Sequence, residues 1–509
     1  VNSFAESRGR KIGIVSLSLL LLLLLNAAIS SPVVADSQNT QQSGHFSLFT
    51  TAQQTDTGTI RLMGTTSMGS NSQQGGGQGS QQNSQLTHMP AKIPEFSRPA
   101  LVPGDTALTQ STAGAPPVSA ATSVIGGSGG STGAKGLNAF DSGSVNGFDV
   151  EPPDQGLCAG NGYVLEVVNL VLAVYSTSFE QVSGPVALAT FANLPVAQQF
   201  VTYLVSDPRC AYDSGTGRWF MSFLYLSFGP RPNSGPLEDF AFEFIAVSTT
   251  SSPIGSWNLY AIDVSRDRLA DNCPCFGDQP LLGIDKNSVI VSTNEFPIFV
   301  GGFNGAQVYL FDKQAMVEGD RTVNFAHFNL GLAVSNPDGS CAASGGLFCW
   351  YSVNPATSPA AESFDGSNGG TAWAMSSLDF TSNGDNRIAV WAFSDTSSLR
   401  TSPSISLNVF LGTGLEQYFN PGFLVPQKAG PIPAGDTIWS NGTALNTALG
   451  FSHIGCPAQC SEGQLASNGD GMWDTVVYAQ GAVWGAINTL VNEGTQNNPD
   501  IHIWGQPSG

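Results

Sequence analysis

One unit returns about five times between residues 150 and 509, and it constrains the fold more than anything else in the chain. Each copy opens on a polar residue beside Pro or Gln. A short apolar run follows, then a tight Asp/Asn/Gly turn, then a second apolar run. The openings are Pro153-Asp154-Gln155, Asp207-Pro208-Arg209, Asp278-Gln279-Pro280, Asn354-Pro355 and Pro426-Gln427. The clearest copies read DPRCAYDSGTGRWFMSFLYL from Asp207 and DQPLLGIDKNSVIVSTNEF from Asp278. Short strands and turns restarting about every 50 to 75 residues predict a radial all-β array. A four-stranded blade has two apolar faces and cannot bury both alone, so blades packed around an axis cover one another. A β-sandwich is the alternative, but it gives no reason for one motif to restart.

Texture divides the chain into three. Arg8, Arg10 and Lys11 precede the apolar run Ile12 to Leu25, and Val33-Val34-Ala35 supplies small residues for cleavage. Residues 1–35 therefore read as a secretory signal cut after Ala35, with no membrane insertion afterwards. An uncleaved anchor that tethers the protein at the cell surface is the competing possibility. Residues 36–135 are rich in Gln, Ser, Thr and Gly and are expected to form a disordered linker. Two islands there, Phe46-Ser47-Leu48-Phe49 and Ile60-Arg61-Leu62-Met63, could make isolated strands. From 136 to 509, apolar runs of strand length alternate with turn residues, which defines a β-propeller domain of five to seven blades.

Charge narrows the partners. Of the 509 residues, 18 are Lys or Arg and 38 are Asp or Glu, a net charge of −20. The excess lies in the propeller region, and such a surface repels a phosphate backbone, so nucleic acid is excluded as a partner. A monomer with an extracellular glycan or protein ligand is expected.

Export makes the eight cysteines readable as disulfides. Cys273 and Cys275, Cys341 and Cys349, and Cys456 and Cys460 are close in sequence. Cys158 and Cys210 remain, each just after the opening Asp of neighbouring repeats, and would tie two blades. No His stands at ligand spacing, so zinc does not fit.

The candidate catalytic residues are Asp154, Asp207, Asp278 and Glu295. In a propeller the first strand of each blade lines the channel, and the opening acids would gather near its mouth. Crowded carboxyls raise one another's pKa, and a glycosidase needs one neutral and one ionised carboxyl. The same Asp side chains could instead cap turns. No organic cofactor is indicated. Calcium is the metal that Asn336-Pro337-Asp338-Gly339 and Asn468-Gly469-Asp470-Gly471 would suit, through Asp338 and Asp470, although neither completes an EF-hand loop.

Several segments together resemble a family of secreted, mostly bacterial β-propeller proteins. They include Pro152-Pro153-Asp154-Gln155-Gly156, Gly162-Tyr163-Val164-Leu165-Glu166-Val167-Val168-Asn169, Asp207-Pro208-Arg209, Arg218-Trp219-Phe220, Asp278-Gln279-Pro280 and Thr293-Asn294-Glu295-Phe296. The resemblance implies fold and export, and it carries no assigned reaction. Asp213-Ser214-Gly215-Thr216-Gly217-Arg218-Trp219 resembles the Asp box of sialidases, a motif that braces a hairpin. Ser252-Pro253-Ile254-Gly255-Ser256-Trp257 resembles a hairpin of five-bladed glycosidases. Two functions stay open: a non-catalytic extracellular binding or surface-interaction protein, and a secreted carbohydrate-active hydrolase or lyase that uses the channel-mouth acids.

Overall fold

The computed structural model describes residues 45–68, 136–148, 154–199, 202–227, 241–265, 272–298 and most of 300–418, with short pieces out to 502. All of them belong to the unit Gly44–Gly509. The signal segment, most of the linker, Cys456, Cys460, Asp470 and Gln427 lie outside the described residues.

Two strands come first, β1 (His45–Gln53) and β2 (Asp56–Ser67). Four antiparallel four-stranded units follow in chain order; the first is a sheet by itself, the second and third join through β2 into a sheet of nine strands, and the fourth belongs to a sheet of seven. Blade 1 is β3 (Gln155–Gly160), β4 (Tyr163–Val168), β5 (Val171–Ser176) and β6 (Gln181–Ala187). Blade 2 is β7 (Tyr203–Asp213), β8 (Arg218–Ser227), β9 (Ala241–Ser248) and β10 (Ser256–Asp263). Blade 3 is β11 (Cys275–Ile284), β12 (Ser288–Pro297), β13 (Gly305–Asp312) and β14 (Thr322–Asn329). Blade 4 is β15 (Asn354–Thr357), β16 (Thr371–Ser377), β17 (Ile388–Ser394) and β18 (Ser406–Thr413). Short strands continue the chain: β19 (Leu424–Pro426), β20 (Gln464–Ala466), β21 (Val476–Ala479), β22 (Ala482–Trp484), β23 (Thr489–Val491) and β24 (Asp500–His502). β21 runs parallel to β15.

The first strands of successive blades lie side by side, which makes the array radial. A Cβ on Gly156 of β3 would stand 3.0 Å from the backbone of Arg209 in β7. One on Gly283 of β11 would stand 2.5 Å from Pro355 in β15. Cys158 and Cys210 join β3 to β7 in a disulfide with Cα atoms 5.8 Å apart. Every residue of β12 and β13 is buried, with none of the in-out alternation of a strand that faces water on one side. Both faces of blade 3 are therefore covered, as a propeller requires and a sandwich does not. Trp219, Trp257, Trp350 and Trp391 are fully buried. Trp350 and Trp391 meet edge to face at 4.8 Å. These indoles are packing residues.

The two islands inside the stretch expected to be linker are strands, and they are not isolated. β2 pairs with β10 on one side and β14 on the other, joining the outer edges of blades 2 and 3. β1 pairs with β18 and covers the outer edge of blade 4. Edge strands expose unpaired backbone groups, and these two strands satisfy three of those edges. Among the described residues no helix is long and apolar enough to cross a membrane.

Candidate active site

Each blade opens on a distorted residue. Asp154, Asp207, Gln279 and Ser352 have φ of 20°, 55°, 50° and 46°. The register slips between Ser206 and Arg209 and between Asp278 and Leu281, so the repeated Asp-Pro-Arg and Asp-Gln-Pro sequences are β-bulges. A bulge frees a backbone N–H, and the preceding blade receives it. Asn169 Oδ1 accepts from Asp207 N at 2.7 Å, Asp207 Oδ2 from Gln279 N at 3.2 Å, and Asn294 Oδ1 from Ser352 N at 2.8 Å. The turned residue at the opening of blades 2, 3 and 4 is thus held by a side chain of the blade before it.

This locking brings together three of the four acids singled out in the sequence. The Asp207 carboxyl is near enough to those of Asp154 and Asp278 to raise the pKa of each, so three blades contribute one run of carboxyls. Asn169 Nδ2 donates to Asp154 Oδ2 at 2.9 Å, and Ser206 Oγ donates to Asp207 Oδ1 at 3.0 Å. All three aspartates are half-buried. Burial, then the charge of Asp207, pushes Asp154 up to about 6. Burial, then Asp207 and Asp154, drives Asp278 well above the usual carboxylate range.

A fourth acid was not picked out in the sequence. Glu243 of β9 is wholly enclosed, neither of its carboxyl oxygens has a partner, and the charges of Asp207 and Asp278 act on it. Burial comes first among the causes that keep it protonated. The visible signal is a lone acid in the apolar run Ala241-Phe242-Glu243-Phe244-Ile245.

Glu295 is placed elsewhere. Its cross-strand partner is Gly277, one residue before Asp278, so it points to the other face of blade 3. There it accepts from Asn304 Nδ2 at 2.8 Å beside the Cys273–Cys275 disulfide. Cys273, Cys275 and Glu295 are close enough to surround an ion, but the two sulfurs are bonded to each other and cannot serve as thiolates. The three aspartates do not bring one carboxylate oxygen each into a single compact cluster. Both carboxylate oxygens of Asp338 are engaged by Arg387, at 3.1 and 2.7 Å. Cys341 and Cys349 are also bonded.

The hairpin motifs do local work. Asp213 accepts from Gly215 N at 3.1 Å and Thr216 Oγ1 at 2.6 Å, bracing the turn between β7 and β8. Trp257 Nε1 donates to Pro253 O at 2.9 Å across the β9–β10 turn.

No known protein family and no curated protein matches the sequence. Among solved structures, a family 117 glycoside hydrolase from the marine bacterium Zobellia galactanivorans is similar with a TM-score of 0.26 and 10% identity, over 52% of this chain and 87% of that one. A GH43 β-1,3-galactosidase with galactodeoxynojirimycin gives 0.24 and 12%, over 49% and 74%. An exo-β-1,3-galactanase from Clostridium thermocellum gives 0.22 and 10%, over 54% and 62%. Similarity at this level carries no argument about this chain. The propeller rests on the strand pairing and the blade contacts above.

Proposed function

We propose that this chain is an exported glycoside hydrolase whose acid and base come from the Asp154–Asp207–Asp278 run. The observation that carries the reading is a line of carboxyls from three blades whose two ends hold their protons unequally. Burial and its acidic neighbours raise Asp278 well above the usual carboxylate range, while Asp154 loses its proton above about pH 6. Glycosidic cleavage needs that pair: a neutral carboxyl to protonate the leaving oxygen, and a carboxylate that either attacks the anomeric carbon or takes a proton from the water that does. In this reading Asp278 is the acid and Asp154 the carboxylate. Asp207 holds them apart and adds the negative field that keeps Asp278 protonated. Glu243 is too enclosed to meet substrate. Three disulfides among the described residues support an oxidising compartment.

A binding protein without turnover is the second reading. It is favoured by one observation: Asp207 Oδ2 already receives the Gln279 backbone N–H, a structural duty. Release of reducing ends from a panel of neutral and acidic polysaccharides separates the two. Hydrolysis predicts steady release by the native chain and none by Asp278→Asn, with melting temperature retained. Binding of a polysaccharide without any release would overturn the hydrolase.

A further inference from the structure

The Cys273–Cys275 bond has a setting that a cross-link does not need. It spans 2 residues, against 52 for Cys158–Cys210 and 8 for Cys341–Cys349. Loop-closure entropy makes it the weakest brace of the three, so stability alone does not account for it. The backbone around it is pinned by other means. Pro274 O accepts from Ile298 N, and Cys275 N donates to Ser265 O, both at 2.8 Å. Opening the bond therefore leaves the two sulfurs side by side.

Those sulfurs are unequal. Cys273 is half-buried in the loop before β11, whereas Cys275, the first residue of that strand, is fully enclosed. Asn304 Nδ2 donates to Cys275 Sγ at 3.3 Å. The same nitrogen donates to Glu295 Oε1 at 2.8 Å, and Asn304 Oδ1 accepts from Asn272 Nδ2 at 2.8 Å, so the amide is held from both ends. Glu295 is 1% exposed, and its Oε1 lies 4.0 Å from Cys273 Sγ. Thiol–disulfide exchange needs one sulfur that a thiolate can reach and a second that can depart as a thiolate. Enclosure makes Cys275 a poor leaving group unless a donor meets its charge, and Asn304 is that donor.

We propose that Cys273–Cys275 is a thiol–disulfide exchange site that oxidises small thiols in pairs. A substrate thiolate attacks Cys273 Sγ and bonds to it. The Cys273–Cys275 bond breaks, and its electron pair leaves on Cys275 Sγ, where Asn304 Nδ2 donates to the new thiolate. A second thiolate attacks the substrate sulfur of the mixed disulfide, which frees the substrate disulfide and the Cys273 thiolate. Two electrons have then passed from the substrate to the cysteine pair. The pair takes from water the two protons that the substrate thiols gave up, and the Cys273 thiol donates to Glu295. The site shares no residue with the aspartate run.

The test mixes the full oxidised chain with reduced glutathione, alkylates after short intervals and maps the peptides by mass spectrometry. The proposal expects glutathione on Cys273 with Cys275 alkylated, then one oxidised glutathione released per chain. The adduct should form at least about tenfold faster than any at Cys158–Cys210 or Cys341–Cys349. Asn304→Ala should slow that step at least about tenfold, because a hydrogen bond to a charged sulfur is lost. Should Asn304→Ala fail to fold, the position of the adduct and its rate against the other two disulfides decide. Glutathione on Cys275, a rate no higher than at the other disulfides, an adduct that never resolves, or a folded Asn304→Ala chain reacting at the native rate overturns the proposal.

Discussion

Replacing Asp154 with Asn should make the protein more stable at alkaline pH and leave it unchanged in acid. The carboxyl titrates near 3.8 when unperturbed and about 6 in the folded chain, raised by burial and by the charge of Asp207. Below pH 3.8 both states are protonated and the group is neutral in its effect. As pH rises from there to about 6, the unfolded chain gives up the proton first, so stability falls across that window and stays lower above it. At about 1.36 kcal/mol per pH unit, the loss is roughly 2–3 kcal/mol, the lower end allowing for the part of the side chain that water reaches. Asn has the same shape, still accepts from Asn169 Nδ2 and can donate to Asp207, but carries no charge. Its advantage should be close to zero near pH 3 and reach the full amount near about pH 8. Thermal melting of both proteins across that range, at one ionic strength, measures it. An Asp154→Asn protein that melts lower than native at about pH 8, or whose offset does not vary with pH, would refute the reasoning.

Lys313→Met strands the Asp213 carboxylate in a buried place, with the two side chains only 4% and 8% exposed. It should cost about 3–5 kcal/mol, and much of that should return in Lys313→Met/Asp213→Asn, as read by denaturant unfolding. The Cys158–Cys210 bond spans 52 residues and Cys341–Cys349 spans 8. Loop-closure entropy then makes the first worth about 4 kcal/mol and the second about 2.6. Paired Cys→Ala variants should melt in that order, and the reverse order would count against the loop argument.

The fold was legible because the repeat and the bulge are the same feature. Asp207-Pro208-Arg209 and Asp278-Gln279-Pro280 recur since each blade must start with a left-handed turn that its neighbour can grip. Such a turn needs Asp, Gln or Ser at positive φ. That local rule also carried the cysteines: Cys158 and Cys210 follow equivalent openings and face each other. Pairings between distant parts of the chain were not legible. Thr57 of β2 meets Ala326, and Phe46 of β1 meets Gly412, and nothing in the weak islands around them names partners so far along the chain. Glu295 stands apart from the acid run, although in the sequence a strand acid beside a blade opening looks equivalent to one in it. Only the register shows that Gly277, not Asp278, is opposite. Glu243 was hidden by its strand. An apolar run reads as core, and the two carboxyls that act on Glu243, Asp207 and Asp278, come from β7 and β11.

The central claim is that Asp278 and Asp154 are an acid and a base held in opposite protonation states. The pH dependence of kcat/KM for polysaccharide hydrolysis tests it most directly. The account predicts a bell whose rising limb centres at about 6, where Asp154 ionises, and whose falling limb lies higher and vanishes with all activity in Asp278→Asn. A native chain that releases no sugar at any pH, or an Asp278→Asn variant as active as native, would contradict it.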